Sequence, residues 1–181
     1  MTIKRVTVFG GSSPKPGEPA YKEAQSLGKL LGMAGYTVLT GGYIGTMEAV
    51  SHGAFEAGAK VIGVTCDEIE AWRPVGANQW VMEKMHFSTM RERLFTLIDS
   101  CDAAIALPGG PGTLAEISLM WNQMITGSII PRPLILIGSG WKITFETFFH
   151  VQGDYIPVIQ REMLEFRSSI EQAVSRLQNG E

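Results

Sequence analysis

Three short apolar runs in this chain each end in a pair of glycines, and each is followed by a helical pattern. The glycine pairs are Gly10-Gly11, Gly41-Gly42 and Gly109-Gly110. Short runs that are apolar throughout are typical of strands buried on both faces, and their alternation with helices indicates a parallel sheet. Ligands bind such a sheet at the carboxyl ends of its strands. The pattern therefore predicts both the fold class and the edge of the sheet that binds a ligand.

The same alternation continues along most of the chain. The predicted strands are 5–9, 36–40, 60–65, 103–107 and 134–137, with a short additional strand at 80–82. The predicted helices are 20–34, 44–57, 88–100, 114–126, 141–151 and 168–177, while 66–78 is predicted to be a long loop with at most one helical turn. Because parallel crossovers are right-handed, we expect an α/β fold, namely a Rossmann-like doubly wound parallel sheet flanked by helices. A single domain is predicted over residues 1–181.

Composition and charge exclude several classes of partner. The 181 residues carry a net charge of -3 without a long run of either sign, whereas a nucleic-acid-binding face requires clustered basic residues. No apolar run reaches the ~18 residues of a membrane span, and the first residues do not resemble a signal peptide. The scattered Cys66 and Cys101 suggest a reducing compartment. We therefore expect a cytoplasmic protein that binds neither nucleic acid nor membrane, and we predict no metal site and no cofactor.

The segment Pro108–Thr113 is the strongest candidate for a binding loop. It reads Pro-Gly-Gly-Pro-Gly-Thr and connects a predicted strand to a predicted helix. Glycines let the backbone approach an anion closely, and the N–H groups that start the next helix attract it. The alternative is a tight turn that binds nothing, and the lack of a lysine disfavours an ATPase P-loop. The predicted phosphate-binding or nucleotide-binding residues are Gly109, Gly110, Pro111, Gly112 and Thr113, together with Gly11, Ser12 and Gly42 on the earlier loops.

Two charged residues flank this loop in the predicted fold. Glu116 falls in the first turn of the following helix, where the helix dipole stabilises a carboxylate without any catalytic role. Alternatively, Glu116 stays ionised beside a ligand and stabilises a cationic sugar. Arg91 and Arg93 lie near the start of the preceding helix, where a cation opposes the dipole. Either they pair with Glu92 or Glu83 at the surface, or one of them points into the crevice and binds a phosphate or base. Glu70 and Asn122 are further candidate substrate contacts.

These motifs resemble those of the Lonely Guy (LOG) family of cytokinin riboside 5′-monophosphate phosphoribohydrolases, which are often mislabelled as lysine decarboxylases. The segment Leu-Pro-Gly-Gly-Pro-Gly-Thr-Leu-Ala-Glu at 107–116 resembles the family's PGGxGTxxE motif, and Met-Arg-Glu-Arg at 90–93 resembles its arginine helix. The resemblance implies a homodimer or higher homo-oligomer that hydrolyses the bond between a base and ribose 5-phosphate. It also implies that Arg93 and Glu116 are catalytic and that 109–113 holds the phosphate.

Three positions depart from the family pattern. Leu94 stands where the family usually has a lysine, Pro111 where it usually has an aromatic residue, and Glu48 where it usually has a small one. Such changes resemble a sister group of nucleotide-binding proteins, to whose broader class a molybdenum-cofactor carrier belongs. The sequence thus predicts a nucleoside 5′-monophosphate hydrolase acting, for example, on AMP or a cytokinin riboside monophosphate. The alternative is a carrier or sensor that binds a nucleotide or phosphorylated cofactor without turnover.

Overall fold

The computed structural model describes residues 3–179, which contain a seven-stranded sheet in which every pairing is parallel. The strands are β1 (Arg5–Phe9), β2 (Thr37–Thr40), β3 (Val61–Cys66), β4 (Glu83–Phe87), β5 (Ala103–Ala106), β6 (Leu134–Ile137) and β7 (Glu165–Arg167). Their order across the sheet is β4-β3-β2-β1-β5-β6-β7. The chain thus reverses its direction across the sheet between β1 and β5, which creates a crevice at the carboxyl ends of these two strands. The predicted Rossmann-like, doubly wound α/β fold is confirmed.

Helices cover both faces of this sheet. They are α1 (Pro19–Met33), α2 (Thr46–Glu56), α3 (Asp67–Trp72), α4 (Met90–Asp99), α5 (Pro111–Ile125), α6 (Ser139–Val151), α7 (Val158–Arg161) and α8 (Ile170–Asn179), with a 3-10 turn at Gly153–Tyr155. One apolar core lies between the sheet and α1, α2 and α8, and a second lies between the sheet and α4, α5 and α6. Among residues 3–179, no helix combines the length and the apolar character that crossing a lipid bilayer requires.

Helices α1 and α2 pack closely because each contains a glycine that faces the backbone of the other helix. A Cβ at Gly28 would lie 2.1 Å from the carbonyl oxygen of Val50, and one at Gly53 would lie 1.9 Å from that of Gln25. Neither position can therefore hold a side chain without separating the helices. This contact fixes α2, whose first residue borders the crevice.

Several segments differ from the sequence-based prediction, including α7 and the 3-10 turn, which were not predicted. The prediction of a short strand at 80–82 is wrong. Residues 79–82 form a turn and a bend, and the strand that follows is Glu83–Phe87. The three-residue strand Glu165–Arg167 was not predicted. Both are edge strands, which favour polar residues over an apolar run. Helix α3 replaces much of the predicted loop, and α5 begins at Pro111 rather than Leu114 because proline suits the first helical position.

Candidate active site

A cleft of about 410 Å³ lies at the carboxyl ends of β1 and β5. Its two central loops, residues 10–13 and 108–110, are joined directly, since the N–H of Gly11 donates to the carbonyl of Pro108 at 3.2 Å. Side chains from α2, α3, α4 and α5 complete the walls. The residues that line the cleft are Gly10, Gly11, Ser12, Ser13, Tyr43, Met47, Ile69, Trp72, Arg73, Met90, Arg93, Gly110, Pro111, Gly112, Thr113 and Glu116.

The start of α5 presents unoccupied backbone donors to this cleft. Gly110 is the N-cap residue, no side chain caps the helix, and Pro111 has no N–H to offer. The N–H groups of Gly112 and Thr113 are therefore the free donors of the first turn. Among residues 3–179, no atom outside the adjacent residues and the backbone of α5 lies within 4 Å of where a Cβ would stand on Gly110 or Gly112, so there is open space beside both glycines. This arrangement fits an anion.

The remaining glycine of this loop has a packing role. A Cβ on Gly109 would lie 2.2 Å from Oγ1 of Thr113, whose side chain is 3% exposed. Gly109 does not line the cleft itself and instead borders a smaller depression beside Trp141. Its lack of a side chain lets the loop turn tightly above Thr113.

Helix α2, in contrast, has its first turn occupied by protein. Both the N–H and the Oγ1 of Thr46 donate to the carbonyl of Gly11, at 3.0 and 2.7 Å. Gly45 has a φ of 74°, and a Cβ there would lie 2.6 Å from Cα of Ser12. The start of α2 therefore shapes the loop that carries Gly11 and Ser12. The predicted ligand contact Gly42 is buried outside the cleft lining, where its carbonyl accepts from Asn78.

Arg93 is held by the backbone of two neighbouring strands. Its Nε donates to the carbonyl of Val64 at 2.8 Å, and its Nη2 donates to that of Gly41 at 3.3 Å. The ring centroid of Tyr43 lies 5.5 Å from its Cζ, and the side chain is only 7% exposed. Among residues 3–179, its Nη1 has no hydrogen-bond acceptor, so these two N–H groups are available to a ligand.

Glu116 lies one turn into α5 and is half-buried against the cleft. Burial raises the pKa of this carboxyl from 4.5 to about 7, and the positive charge of Arg93 only partly opposes that rise. No ion pair within 4.0 Å joins the two residues in the described part of the chain. The sequence-based expectation was a permanently ionised Glu116, whereas a pKa near 7 gives a group that both holds and releases a proton at neutral pH.

Arg73 is a cleft residue that the sequence did not indicate. Its guanidinium lies between two aromatic rings, with Cζ 5.9 Å from the centroid of Tyr43 and 5.5 Å from that of Trp72. Its Nε is buried without a hydrogen-bond partner in residues 3–179, which costs about 1–3 kcal/mol. A single arginine in an irregular segment carries no recognisable motif, and only the folded chain places it beside the cleft.

Two other predicted contacts lie outside this cleft. Glu70 is half-buried near the hydroxyl of Tyr43, at 3.5 Å, and near Nζ of Lys84, at 4.0 Å. Asn122 is exposed on α5 and borders an apolar groove between α5 and α6. Their roles as substrate contacts remain predictions. Within residues 3–179, no cluster of three or more histidine, cysteine or acidic side chains is arranged to hold a metal ion.

Comparison of the sequence with known proteins identifies related enzymes. A family model described as the SLOG cluster4 family matches residues 3–152. A cytokinin riboside 5′-monophosphate phosphoribohydrolase of Rhodococcoides fascians is 31% identical over 141 residues, which cover 76% of this chain and 69% of that enzyme. The enzyme of the same name from Oryza sativa subsp. japonica, LOG, is 38% identical over 126 residues, which cover 67% of this chain and 51% of that protein.

Solved structures with the same fold include a binding protein. The molybdenum cofactor binding protein of Rippkaea orientalis superimposes with a TM-score of 0.76 over 98% of this chain and 97% of that one. At 24% sequence identity, this similarity establishes a shared fold and nothing further.

Proposed function

Because the chain belongs to the SLOG cluster4 family, we propose that it hydrolyses the N-glycosidic bond of a nucleoside 5′-monophosphate, releasing the free base and ribose 5-phosphate. The observation that carries the proposal is that the open start of α5, Glu116 and Arg93 all line one cleft. Its relatives from Rhodococcoides fascians and rice, both named as cytokinin riboside 5′-monophosphate phosphoribohydrolases, support the same reaction.

The 5′-phosphate binds at the start of α5. The free N–H groups of Gly112 and Thr113 donate to its oxygens, and the helix dipole adds about half a positive charge there. The loop that carries Gly11 and Ser12 forms the opposite wall. Binding energy from this non-reacting group positions the sugar for reaction. The ribose then lies over the next turn of α5, beside Glu116.

The reaction breaks the bond between C1′ of the ribose and a ring nitrogen of the base. The leaving base takes the bonding electrons, so positive charge develops on the ribose ring, and ionised Glu116 stabilises that charge. Water then adds its hydroxide to C1′, and its proton balances the charge on the base. Arg93, fixed by the carbonyls of Val64 and Gly41, orients the ligand through its free Nη1.

Incubation of the pure protein with AMP, GMP, IMP, CMP and UMP, followed by chromatography, tests the proposal. At least one of these nucleotides should yield its free base and ribose 5-phosphate. Glu116→Gln should lower kcat by about 100- to 1000-fold. The matched control is Glu146→Gln on the exposed surface of α6, which should leave the rate unchanged. Failure of every nucleoside monophosphate to release its base would refute the proposed reaction.

Because the ionised form of Glu116 is the active one, the rate has a defined pH dependence. The carboxyl loses its proton at a pKa of about 7. The kcat/KM of the wild-type protein, which reports ionisation of the ligand-free protein, should therefore rise with pH up to about 8 and fall tenfold per unit well below pH 7. A pH-independent kcat/KM between pH 5 and 8 would show that this carboxyl is not the ionising group.

A carrier that binds without turnover is the second candidate function, and the position of Leu94 favours it. This side chain is half-buried and packs against the apolar core beside α4, so it adds no positive charge to the cleft. A carrier should bind a nucleotide tightly, release it unchanged, and keep its affinity in Glu116→Ala. Turnover that disappears in that variant would exclude the carrier function.

The proposal includes a homodimer formed through α5 and α6. An apolar groove between these helices is lined by large side chains, and Phe148 and Leu114 are 44% and 40% exposed at its edge. Contiguous exposed apolar surface of this kind is typical of an interface. Light scattering coupled to size-exclusion chromatography should give twice the mass of the 19.7 kDa chain, and Phe148→Glu should lower it. A monomer at micromolar concentration would refute the dimer.

A further inference from the structure

We propose that Arg73 selects a 6-oxopurine nucleotide, such as GMP or IMP, over AMP. This proposal rests on the proposed function, and it names the class of base that the cleft accepts. Its basis is an arginine without a protein acceptor at the end of the cleft farthest from the phosphate loop.

The order of the strands places Arg73 where a base would lie. The phosphate loop follows β5, and α3 with Arg73 follows β3. In the sheet, β1 and β2 separate these two strands, so about 14 Å of sheet lies between them at ~4.8 Å per strand. Arg93 occupies the middle, bound to the carboxyl ends of β2 and β3. A nucleotide anchored by its phosphate at α5 therefore extends its base toward α3.

The guanidinium of Arg73 has no hydrogen-bond or ion-pair partner in the part of the chain that the structure describes. Among residues 3–179, no carboxylate lies within 4.0 Å of it and no side-chain hydrogen bond is made by it, although its Nε is buried. Its Cζ instead lies over the rings of Tyr43 and Trp72, 5.9 and 5.5 Å from their centroids. Packing of the planar face beside aromatic rings leaves the N–H edge of the group free to donate in plane. Acceptor atoms of a ligand at this position would pair with donors of Arg73 that no described residue occupies.

The segment that carries Arg73 is anchored. At the start of α3, Asp67 Oδ1 and His86 Nε2 lie 2.8 Å apart, and the other ring nitrogen of His86 is 2.8 Å from Oγ1 of Thr65. Glu68 accepts from the N–H of Met90 at 2.7 Å, which joins α3 to the first residue of α4. The backbone N–H of Arg73 itself donates to the carbonyl of Ile69 at 2.8 Å. The backbone that carries Arg73 is therefore anchored to β4 and α4.

The chemistry of this end of the cleft distinguishes between purines. Arginine offers donors and no acceptor, and its neighbours in the lining, Ile69, Trp72 and Met90, supply no strong side-chain acceptor. Guanine and hypoxanthine present two adjacent acceptors, O6 and N7, which an arginine binds in a bidentate manner. Adenine presents N7 beside an amino group, whose hydrogens would face the donors of Arg73. The indole of Trp72, which is 78% exposed, gives the base an aromatic surface to contact.

Competition between bases tests the assignment. For the wild-type protein, kcat/KM for GMP and IMP should exceed that for AMP by about 10- to 100-fold. Arg73→Ala should reduce this ratio to near one by lowering the GMP value, and Arg73→Lys should do so too because lysine lacks the planar fork. The matched control is Arg91→Ala, an exposed arginine that packs on Phe95 of the same helix and should keep the ratio. Thermal unfolding confirms that each variant is folded.

Three results would overturn the inference. They are equal rates for GMP and AMP in the wild type, an unchanged ratio in Arg73→Ala, and a loss of the same size for all five nucleotides, which would show that Arg73 binds a group they share. If no nucleotide is hydrolysed, the proposed function fails and dissociation constants measured by calorimetry still decide the selectivity. In that case the inference is supported if the wild type binds GMP more tightly than AMP and Arg73→Ala does not. Equal affinities of the wild type for GMP and AMP refute it.

Discussion

The raised pKa of Glu116 predicts a pH-dependent cost in stability that one substitution should remove. Below about pH 4.5 this carboxyl is protonated in the folded and the unfolded chain, and well above pH 7 it is ionised in both. Between these values the folded protein keeps a proton that the unfolded chain has released. The free energy of unfolding therefore falls as pH rises through this window, and the stability present below pH 4.5 is lost above pH 7.

The size of the effect follows from the shift. A rise from 4.5 to about 7 corresponds to about 3 kcal/mol at 1.36 kcal/mol per unit. Glu116→Gln has no proton to lose, so urea unfolding at pH 4 and pH 8 should show the wild type losing about 3 kcal/mol more than the variant. The exposed Glu146→Gln serves as the control and should follow the wild type. Parallel stability curves for wild type and Glu116→Gln would refute the assignment of the shift to this buried carboxyl.

Three further substitutions test how the fold supports the cleft. Gly28→Ala places a Cβ 2.1 Å from the carbonyl of Val50 and should cost about 1–3 kcal/mol in urea unfolding, whereas Gly140→Ala, with no atom within 4 Å, should cost nothing. Thr89→Ala removes the capping box of α4 and should cost about 1 kcal/mol; no loss would show that the cap is dispensable. Arg93→Lys cannot reach both strand carbonyls and should lower kcat/KM at least about tenfold, while full activity would refute the orienting role.

The sheet could be predicted wherever its strands are buried on both faces. β1, β3, β5 and β6 are almost wholly apolar and buried, and a continuous apolar run is a signal that a single sequence shows. β4 could not be predicted in this way, because its sequence Glu-Lys-Met-His-Phe lies at the sheet edge and alternates exposed with half-buried residues. Its register is instead set by pairing with β3, which is a long-range property.

For the site, local sequence motifs indicated the loop at 108–113 and the helix that follows it. They did not indicate Arg73, which is distant in sequence. The loop at 108–113 and Glu116 lie within nine residues of each other, so their proximity follows from helix geometry alone. A cation at a helix start calls for an explanation, but Arg91 and Arg93 both fit that description, and only the resemblance to the LOG family selected Arg93. The proton affinity of Glu116 depends on burial by several elements, and the place of Arg73 depends on a six-residue helix that no periodicity reveals.

The way in which Arg93 is held determines which neighbouring positions are free to vary in evolution. Its two acceptors are main-chain carbonyls, which every amino acid supplies, so the identity of residue 64 can change without releasing the guanidinium. Residue 41 has no such freedom, because a Cβ there would lie 2.0 Å from Nη2 of Arg93. A saturation library should therefore accept other apolar residues in place of Val64 and reject even alanine at Gly41. The position of the Arg93 guanidinium in the cleft thus depends on the absence of a side chain at Gly41.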